Sequence, residues 1–211
     1  MATAVILRDA LATLVHTCNE GARVESAAKS IHNAIFTGAP SVPFTPDDLF
    51  AALDKLGIAH ATVTHPPLFT VEQSQALRGQ ISGGHTKNLF LKDKKGALFL
   101  VVAPEEATIE LKSLHRKLEA GRFSFGSADL LREVLGVEPG SVTPLAAIND
   151  AARRVTVVLD AGLMTHDILN FHPLVNTMTT SLASADLVRF LEAAGHPPRI
   201  VPVAAEAETA P

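Results

Sequence analysis

The sequence GHTKNLFLKDKKGALFLVVA, residues 84–103, carries the clearest structural pattern in this chain of 211 residues. Two apolar runs, 87–92 and 97–103, flank the polar segment Asp93-Lys94-Lys95-Gly96. Apolar runs separated by a short polar, glycine-containing turn are typical of a β-hairpin. We therefore predict two adjacent antiparallel strands here.

Helices and shorter strands are predicted on both sides of this hairpin. Thr45 offers an N-cap hydroxyl before Pro46, and Ser127 and Ser184 occupy similar positions before apolar stretches that end at glycines. Further helices are expected at 71–77 and 106–118, and strands at 59–64, 154–160, 168–171 and 177–181. Because these elements are interspersed without a regular βαβ alternation, the sequence predicts an α+β domain with a mixed sheet.

The expected domain boundary lies at residues 38–43, GAPSVP, because its glycine and prolines interrupt any helix. Apolar residues at three- and four-residue steps before it predict an N-terminal helical extension, with its linker, over 1–43. The main domain is expected over 44–203 and a frayed tail over 204–211. The N-terminus lacks the pattern of a secretory signal, and no apolar run approaches the roughly 20 residues of a membrane helix.

The composition favours a compact globular protein in a reducing, cytoplasmic setting. Hydrophobic residues make up 47% and charged residues 19% of the chain, and a single cysteine, Cys18, cannot form an intramolecular disulfide. Cys18 lies on a predicted apolar helix, where buried thiols are usually inert. The common nucleotide-binding, serine-hydrolase and zinc-protease motifs are absent from the sequence.

Three short motifs hold polar residues that secondary structure does not require. Lys87-Asn88 begins an apolar strand after a Gly-Gly turn, and the loop from Gly140 to Pro144 could turn N–H groups toward an anion. The segment FHPLVNT, 171–177, places a histidine and an amide on a turn between two strands. Taken singly, these motifs are also compatible with a solvated strand end, a common loop and a plain turn.

In this order, GHTKNLFLKD (84–93), GSVTP (140–144) and FHPLVNT (171–177) resemble the YbaK and prolyl-tRNA synthetase-associated editing domains. The sequence is most similar to the freestanding branch that hydrolyses alanyl-tRNA(Pro), and the resemblance covers residues 45–201. It implies one α+β domain with a mixed, partly barrel-like sheet and flanking helices. Residues 1–40 lie outside the resemblance.

The resemblance also implies a reaction, the hydrolysis of the ester that joins a wrong amino acid to the tRNA 3′ end. Lys87 matches the family's motif lysine, Gly140 and Pro144 its Gly-x-x-x-Pro loop, and His172 its pocket histidine. The catalytic candidates are Lys87, Gly140 and His172, and the substrate-binding candidates are Asn88, Phe90, Pro144, Leu174 and Asn176. No metal or other cofactor is expected.

An aminoacyl ester is already reactive, so positioning, a water molecule and charge stabilisation would suffice for its hydrolysis. We expect Lys87 to hold the terminal phosphate or adenosine, and N–H groups of the Gly140 loop to face the developing oxyanion. His172 either shapes the amino-acid pocket or acts as a base. Bulk that would exclude proline from the pocket is available in Phe69, Phe90, Phe171 and Leu174.

Three other functions remain open at this point. One is a cysteinyl-tRNA(Pro) deacylase of the same fold, and another is a non-catalytic module that binds tRNA or a synthetase. The third is a metal-dependent hydrolase that uses His166 and His172. The expected partners are the alanine-charged acceptor end of tRNA(Pro) and, as a further candidate, prolyl-tRNA synthetase, with no membrane and no DNA.

The charge distribution agrees with an RNA partner that touches a small surface. The whole chain has a net charge of −4, but residues 78–122 hold nine of its 18 basic residues against five acidic ones. This segment therefore carries a local charge of +4 and contains Lys87. A cationic segment of this kind attracts phosphate groups.

Overall fold

The computed structural model describes residues 42–67 and 81–204, which belong to a compact unit, Gly38–Pro211. The expected N-terminal extension, the helix at 71–77 and nearly all of the expected tail lie outside the described residues, as do Cys18 and Phe69. The expected domain division therefore stays a prediction.

The described chain alternates helices and strands without a regular repeat. Their bounds are α1 (Pro46–Lys55), β1 (His60–Thr64), β2 (Gly84–Asp93), β3 (Leu98–Pro104), α2 (Leu111–Lys117), β4 (Phe123–Phe125), α3 (Ala128–Leu135), β5 (Val155–Asp160), β6 (Ile168–Phe171), β7 (Met178–Ala183), α4 (Ser184–Ala193) and β8 (Arg199–Val201). Two short 3-10 helices, Pro144–Asn149 and Leu163–Thr165, precede β5 and β6 respectively.

These strands form one mixed sheet in the order β1-β7-β6-β2-β3-β5-β8, with β4 as an additional partner of β2. The pairs β1/β7, β6/β7, β2/β3 and β2/β4 are antiparallel. The pairs β2/β6, β3/β5 and β5/β8 are parallel. The predicted α+β class with a mixed sheet is confirmed.

Strand β2 holds the two parts of the sheet together. One of its edges pairs with β3 from Thr86 to Lys92. Its other edge pairs with β6 at Gly84 and His85 and with β4 from Leu91 to Asp93. Residues 86–90 lie between these two partners, and none of the described strands pairs with them on that edge. The sheet is therefore split beside the segment that contains Lys87 and Asn88.

The hairpin predicted from residues 87–103 is confirmed by the register of β2 and β3, in which Leu91 lies opposite Phe99. The Asp93 carboxylate accepts hydrogen bonds from the N–H groups of Lys95 and Ala97 across the turn, at 2.8 and 2.9 Å. It also accepts one from the Gly121 N–H at 2.9 Å. This buried carboxylate thus joins the turn to the chain that leads into β4.

One side of the sheet is covered by α2. Leu114 and Leu118 from the helix region pack against a buried cluster to which β2 and β3 contribute Leu91, Phe99 and Val101. Burial of such aliphatic and aromatic side chains is the main favourable term in folding. It fixes α2 on the face of the sheet that carries the odd-numbered residues of β2.

The helix starts were predicted with mixed success. Thr45 and Ser127 do cap α1 and α3, each accepting a bond from a backbone N–H of the first turn. The expected helix at 106–118 begins only at Leu111, because the chain first makes a turn after β3 in which the Ala107 N–H bonds to the Pro104 carbonyl. Ser184 is the first residue of α4 and forms no side-chain cap, since Ala183 occupies the N-cap position.

Candidate active site

The loop between β6 and β7 carries three of the predicted site residues, His172, Leu174 and Asn176. Leu174 adopts a positive φ of 68°, and its N–H bonds to the His172 carbonyl at 3.0 Å. A positive φ is unfavourable for leucine, so the surrounding structure must hold this conformation. The side chain of Leu174 is only 6% exposed. Its burial fixes the turn that separates His172 from Asn176.

His172 is held in one tautomer by the backbone. Its Nδ1 lies 2.9 Å from the Met178 carbonyl oxygen, which can only accept, so Nδ1 carries the proton. In the neutral ring Nε2 is then an acceptor, and it forms no hydrogen bond with the described residues. Burial lowers the pKa of His172 below its usual value of 6.5; the Met178 carbonyl opposes this effect, and nearby His65 adds to it. The ring is therefore mainly neutral at neutral pH.

His65 lies beside this ring, with 6.3 Å between the two ring centroids. Its Nδ1 donates to the Pro66 carbonyl, so its Nε2 accepts from the Thr179 hydroxyl at 2.9 Å. The sequence indicated only a strand end at His65, because its partner is 114 positions away in the chain. The His-Pro-Pro sequence after a strand was the only local signal.

The Gly140 loop lies against the same β6–β7 loop. Gly140 has a φ of 91°, and a Cβ built on it would lie 3.7 Å from the Asn176 side-chain nitrogen. Pro144 is buried and begins a 3-10 helix, capped by the Thr143 hydroxyl, which accepts a bond from the Leu145 N–H. The structure thus brings Gly140 and Asn176 together, while Pro144 anchors the loop in the core.

Lys87 and Asn88 lie inside β2, which begins at Gly84 rather than at Lys87. Lys87 pairs with Ala103 and Asn88 with Val102 in an uninterrupted register. Successive residues of a strand point to opposite faces, so these two side chains do not share a face. Lys87 forms no hydrogen bond or ion pair with the described residues. The Asn88 Oδ1 is buried and also lacks a partner among them.

Phe90 is buried on the Asn88 face of β2. A Cβ at Gly126 would overlap its ring, so the phenyl group packs directly against the backbone that leads into α3. The Gly126 N–H also bonds to the Phe90 carbonyl at 2.9 Å. Phe90 therefore has a packing role in addition to any contact with a substrate.

Asn170 supports the start of β2 from the neighbouring strand β6, and no local sequence pattern indicates this role. Its side chain donates to the Ser82 carbonyl at 3.1 Å and accepts from the Ser181 hydroxyl at 2.6 Å. Its backbone carbonyl accepts from the Thr86 hydroxyl at 3.0 Å. These bonds fix the segment that enters the Lys87 region.

The two histidines of the metal-site alternative have different surroundings. Nδ1 of His172 is hydrogen-bonded to the Met178 carbonyl. The ring of His166 instead packs closely over Gly84, only 2.9 Å from the place that a Cβ on this glycine would occupy. Within residues 42–67 and 81–204, no group of three or more potential metal ligands occurs.

In the same part of the chain, no helix is long and apolar enough to cross a bilayer.

Comparisons with known proteins agree with these features. The sequence profile of the aminoacyl-tRNA editing domain matches residues 65–190. The chain is 42% identical over 151 residues to prolyl-tRNA synthetase associated domain-containing protein 1 of Danio rerio, covering 71% of this chain and 82% of that protein. It is 34% identical over 149 residues to the prolyl-tRNA editing protein ProX of Acetoanaerobium sticklandii, covering 70% and 91% respectively.

A solved structure described as a candidate trans-editing enzyme for prolyl tRNA synthetase shares the fold, with a TM-score of 0.61 and 17% identity. The match covers 79% of this chain and 100% of that one. The fold and the sequence match together define an aminoacyl-tRNA editing domain, and the chain belongs to this family. Within it, the similarity is to the YbaK-like, prolyl-tRNA synthetase-associated proteins, which confirms the resemblance found in the sequence.

Proposed function

We propose that this protein removes alanine from mischarged alanyl-tRNA(Pro) by hydrolysing the aminoacyl ester, and that it acts in trans in the cytoplasm. The observation that carries the proposal is the meeting of two loops. The β6–β7 loop holds neutral His172 and Asn176, and the Gly140 loop lies against Asn176. Family membership and the relatives named for prolyl-tRNA editing support the substrate class.

In the proposed reaction, water attacks the ester carbonyl and the ribose hydroxyl of the terminal adenosine leaves. The N–H groups at the start of the Gly140 loop, where Gly140 itself is exposed, stabilise the oxyanion that forms on the carbonyl oxygen. Because Nδ1 of His172 is already bonded, only Nε2 is available to the substrate, as an acceptor for its amino group or for the attacking water. Asn176 and Leu174 would line the amino-acid pocket beside it.

Selection of alanine over proline follows from size. A synthetase site that accepts proline cannot strongly reject the smaller alanine, because each missing methylene changes binding by only about 1–3 kcal/mol. A second, smaller pocket can admit alanine and exclude proline. Buried Leu174 and Phe171 beside His172 provide rigid apolar walls for such a pocket.

Lys87 is proposed to bind the phosphate or the ribose of the terminal nucleotide. Its ammonium group has no partner among the described residues, and it lies beside the split in the sheet. We expect Lys87→Ala to lower kcat/KM for alanyl-tRNA(Pro) by at least about 100-fold, since positioning of an ester contributes strongly to its hydrolysis. Lys92→Ala is the matched control, because Lys92 is exposed on the same strand.

The assay measures deacylation of tRNA(Pro) charged with alanine, cysteine or proline. We expect fast hydrolysis of the alanyl ester and little hydrolysis of the prolyl ester. The Lys92→Ala variant should hydrolyse both esters at the wild-type rates. Faster hydrolysis of the cysteinyl ester would replace alanine by cysteine as the substrate. Equal rates for alanine and proline, or full activity of Lys87→Ala, would contradict the proposal. A His172→Ala variant should accept a wider range of amino acids.

A further inference from the structure

A cationic cleft lies between α2 and β4, apart from the two loops described above. It has a volume of about 390 Å³ and is lined by Leu111, Lys112, His115, Arg116, Arg122 and Phe123. None of these described lining residues is a carboxylate. Three cations around one cleft repel each other, and an anionic ligand would remove this repulsion.

The cations of this cleft lack ion pairs, unlike most of the other arginines in the described domain. Lys112, Arg116 and Arg122 are exposed and form no ion pair within the described ranges. Elsewhere, arginines on the surface pair with neighbouring carboxylates, as in the pairs Arg132–Glu138, Arg154–Glu133 and Arg189–Asp186. The positive charge of the cleft is therefore left available to a ligand.

An exposed aromatic ring beside the cleft also suits a nucleotide. Phe125 is 64% exposed on β4, next to Phe123, whose ring lines the cleft. Exposed aromatic rings beside cations are the usual platform on which single-stranded bases stack.

The cleft also lies on the appropriate side of the sheet. Phe125 and Phe123 are opposite Leu91 and Asp93 of β2, so by strand alternation they share a face with Lys87. The same face is covered by α2. Leu91 and Asp93, which pair with β4, are four and six positions along β2 from Lys87. This corresponds to about 13–20 Å, a distance that a few nucleotides of extended RNA can cover.

We propose that the cleft binds the phosphate backbone of the nucleotides that precede the aminoacylated 3′ end of the tRNA, with a base stacked on Phe125. The inference rests on the proposed function, because it takes the terminal nucleotide to lie at Lys87. Arg116, Arg122 and Lys112 neutralise the phosphates. The cleft thereby gives affinity for RNA without contributing to the chemical step.

The test compares Arg116→Gln/Arg122→Gln with Lys55→Gln, which removes an exposed cation from α1. Binding of uncharged tRNA(Pro) should weaken roughly tenfold in the double variant, and the slope of log affinity against log salt should flatten by roughly 1 to 2. In deacylation, KM should rise while kcat stays within about twofold. Phe125→Ala should also weaken binding about tenfold.

A short substrate separates this inference from the function on which it rests. The alanyl ester of adenosine has no preceding phosphates, so the double variant should hydrolyse it at the wild-type rate. Unchanged RNA affinity and salt slope in the double variant would overturn the cleft proposal, even if the enzyme deacylates alanyl-tRNA(Pro). Cleft-dependent RNA binding without any deacylation would instead overturn the proposed function and leave the cleft as an RNA site.

Discussion

At the scale of single residues, His172 couples the candidate site to pH. Burial holds its pKa below the usual value of 6.5, so the folded protein binds fewer protons than the unfolded chain just below that pH. Its contribution to the free energy of unfolding is therefore complete above about pH 6.5. It is lost as the pH falls through the lower pKa of the folded state.

This effect can be measured with His172→Asn, whose side-chain amide can still donate to the Met178 carbonyl. We expect the stability of the wild type, relative to this variant, to decrease as the pH is lowered from 8 to 5 in urea unfolding followed by circular dichroism. An NMR titration should show the imidazole protonating below pH 6.5. A titration above that value, or a difference independent of pH, would contradict the prediction.

The residues of the candidate site differ in how far their placement could be predicted from the sequence. Lys87, Gly140 and His172 belong to short motifs, and their family resemblance can be read locally. His65 and Asn170 were missed because their partners Thr179 and Ser82 are distant in sequence. The motif Lys87-Asn88 was predicted to begin a strand, whereas both residues lie inside β2 and their side chains point to opposite faces of the sheet.

At the scale of elements, the turn between β2 and β3 depends on one carboxylate. Asp93 accepts bonds from three backbone N–H groups, and the one from Gly121 is the largest cause of its lowered pKa. A depressed pKa means that this stabilisation is present at neutral pH. It is lost as the pH falls below the ordinary value of 3.8 toward the pKa of the folded protein.

We predict that Asp93→Asn destabilises the protein at pH 7, because an amide group has only one acceptor oxygen for these three donors. The difference from the wild type should shrink as the pH falls below 3.8, because the Asp93 carboxyl is protonated first in the unfolded chain and only at lower pH in the folded protein. Urea unfolding at pH 7 and at successively lower pH values below 3.8 measures both effects. Asp167→Asn, which changes an exposed carboxylate, is the control, and an equal loss in the two variants would refute the prediction.

Elements with strong local signals were predicted well, and those that depend on distant partners were not. The hairpin and the caps at Thr45 and Ser127 rest on neighbouring residues. Strands β4 and β8 have only three residues each and exist through pairing with β2 and β5. Their sequences, Phe123–Phe125 and Arg199–Val201, are too short for a periodic pattern to indicate a strand.

At the scale of the whole molecule, β2 connects the two parts of the sheet. It pairs with β6, and through it with β7 and β1, on one side, and with β3, β5 and β8 on the other. Its residue Leu91 is fully buried in the cluster beneath α2. Loss of packing at Leu91 should therefore destabilise the strands on both sides of β2, rather than only the region beside α2.

We predict that Leu91→Ala costs about 2–5 kcal/mol, as expected for a buried leucine. If the sheet unfolds as one unit, hydrogen exchange should accelerate by the same factor at Thr180 of β7 and at Val158 of β5. The chain has no tryptophan or tyrosine, so circular dichroism and amide exchange are the suitable probes. Lys92→Ala is the control, because it changes an exposed residue of β2. Faster exchange at Val158 alone would show that the two sides of the sheet unfold separately.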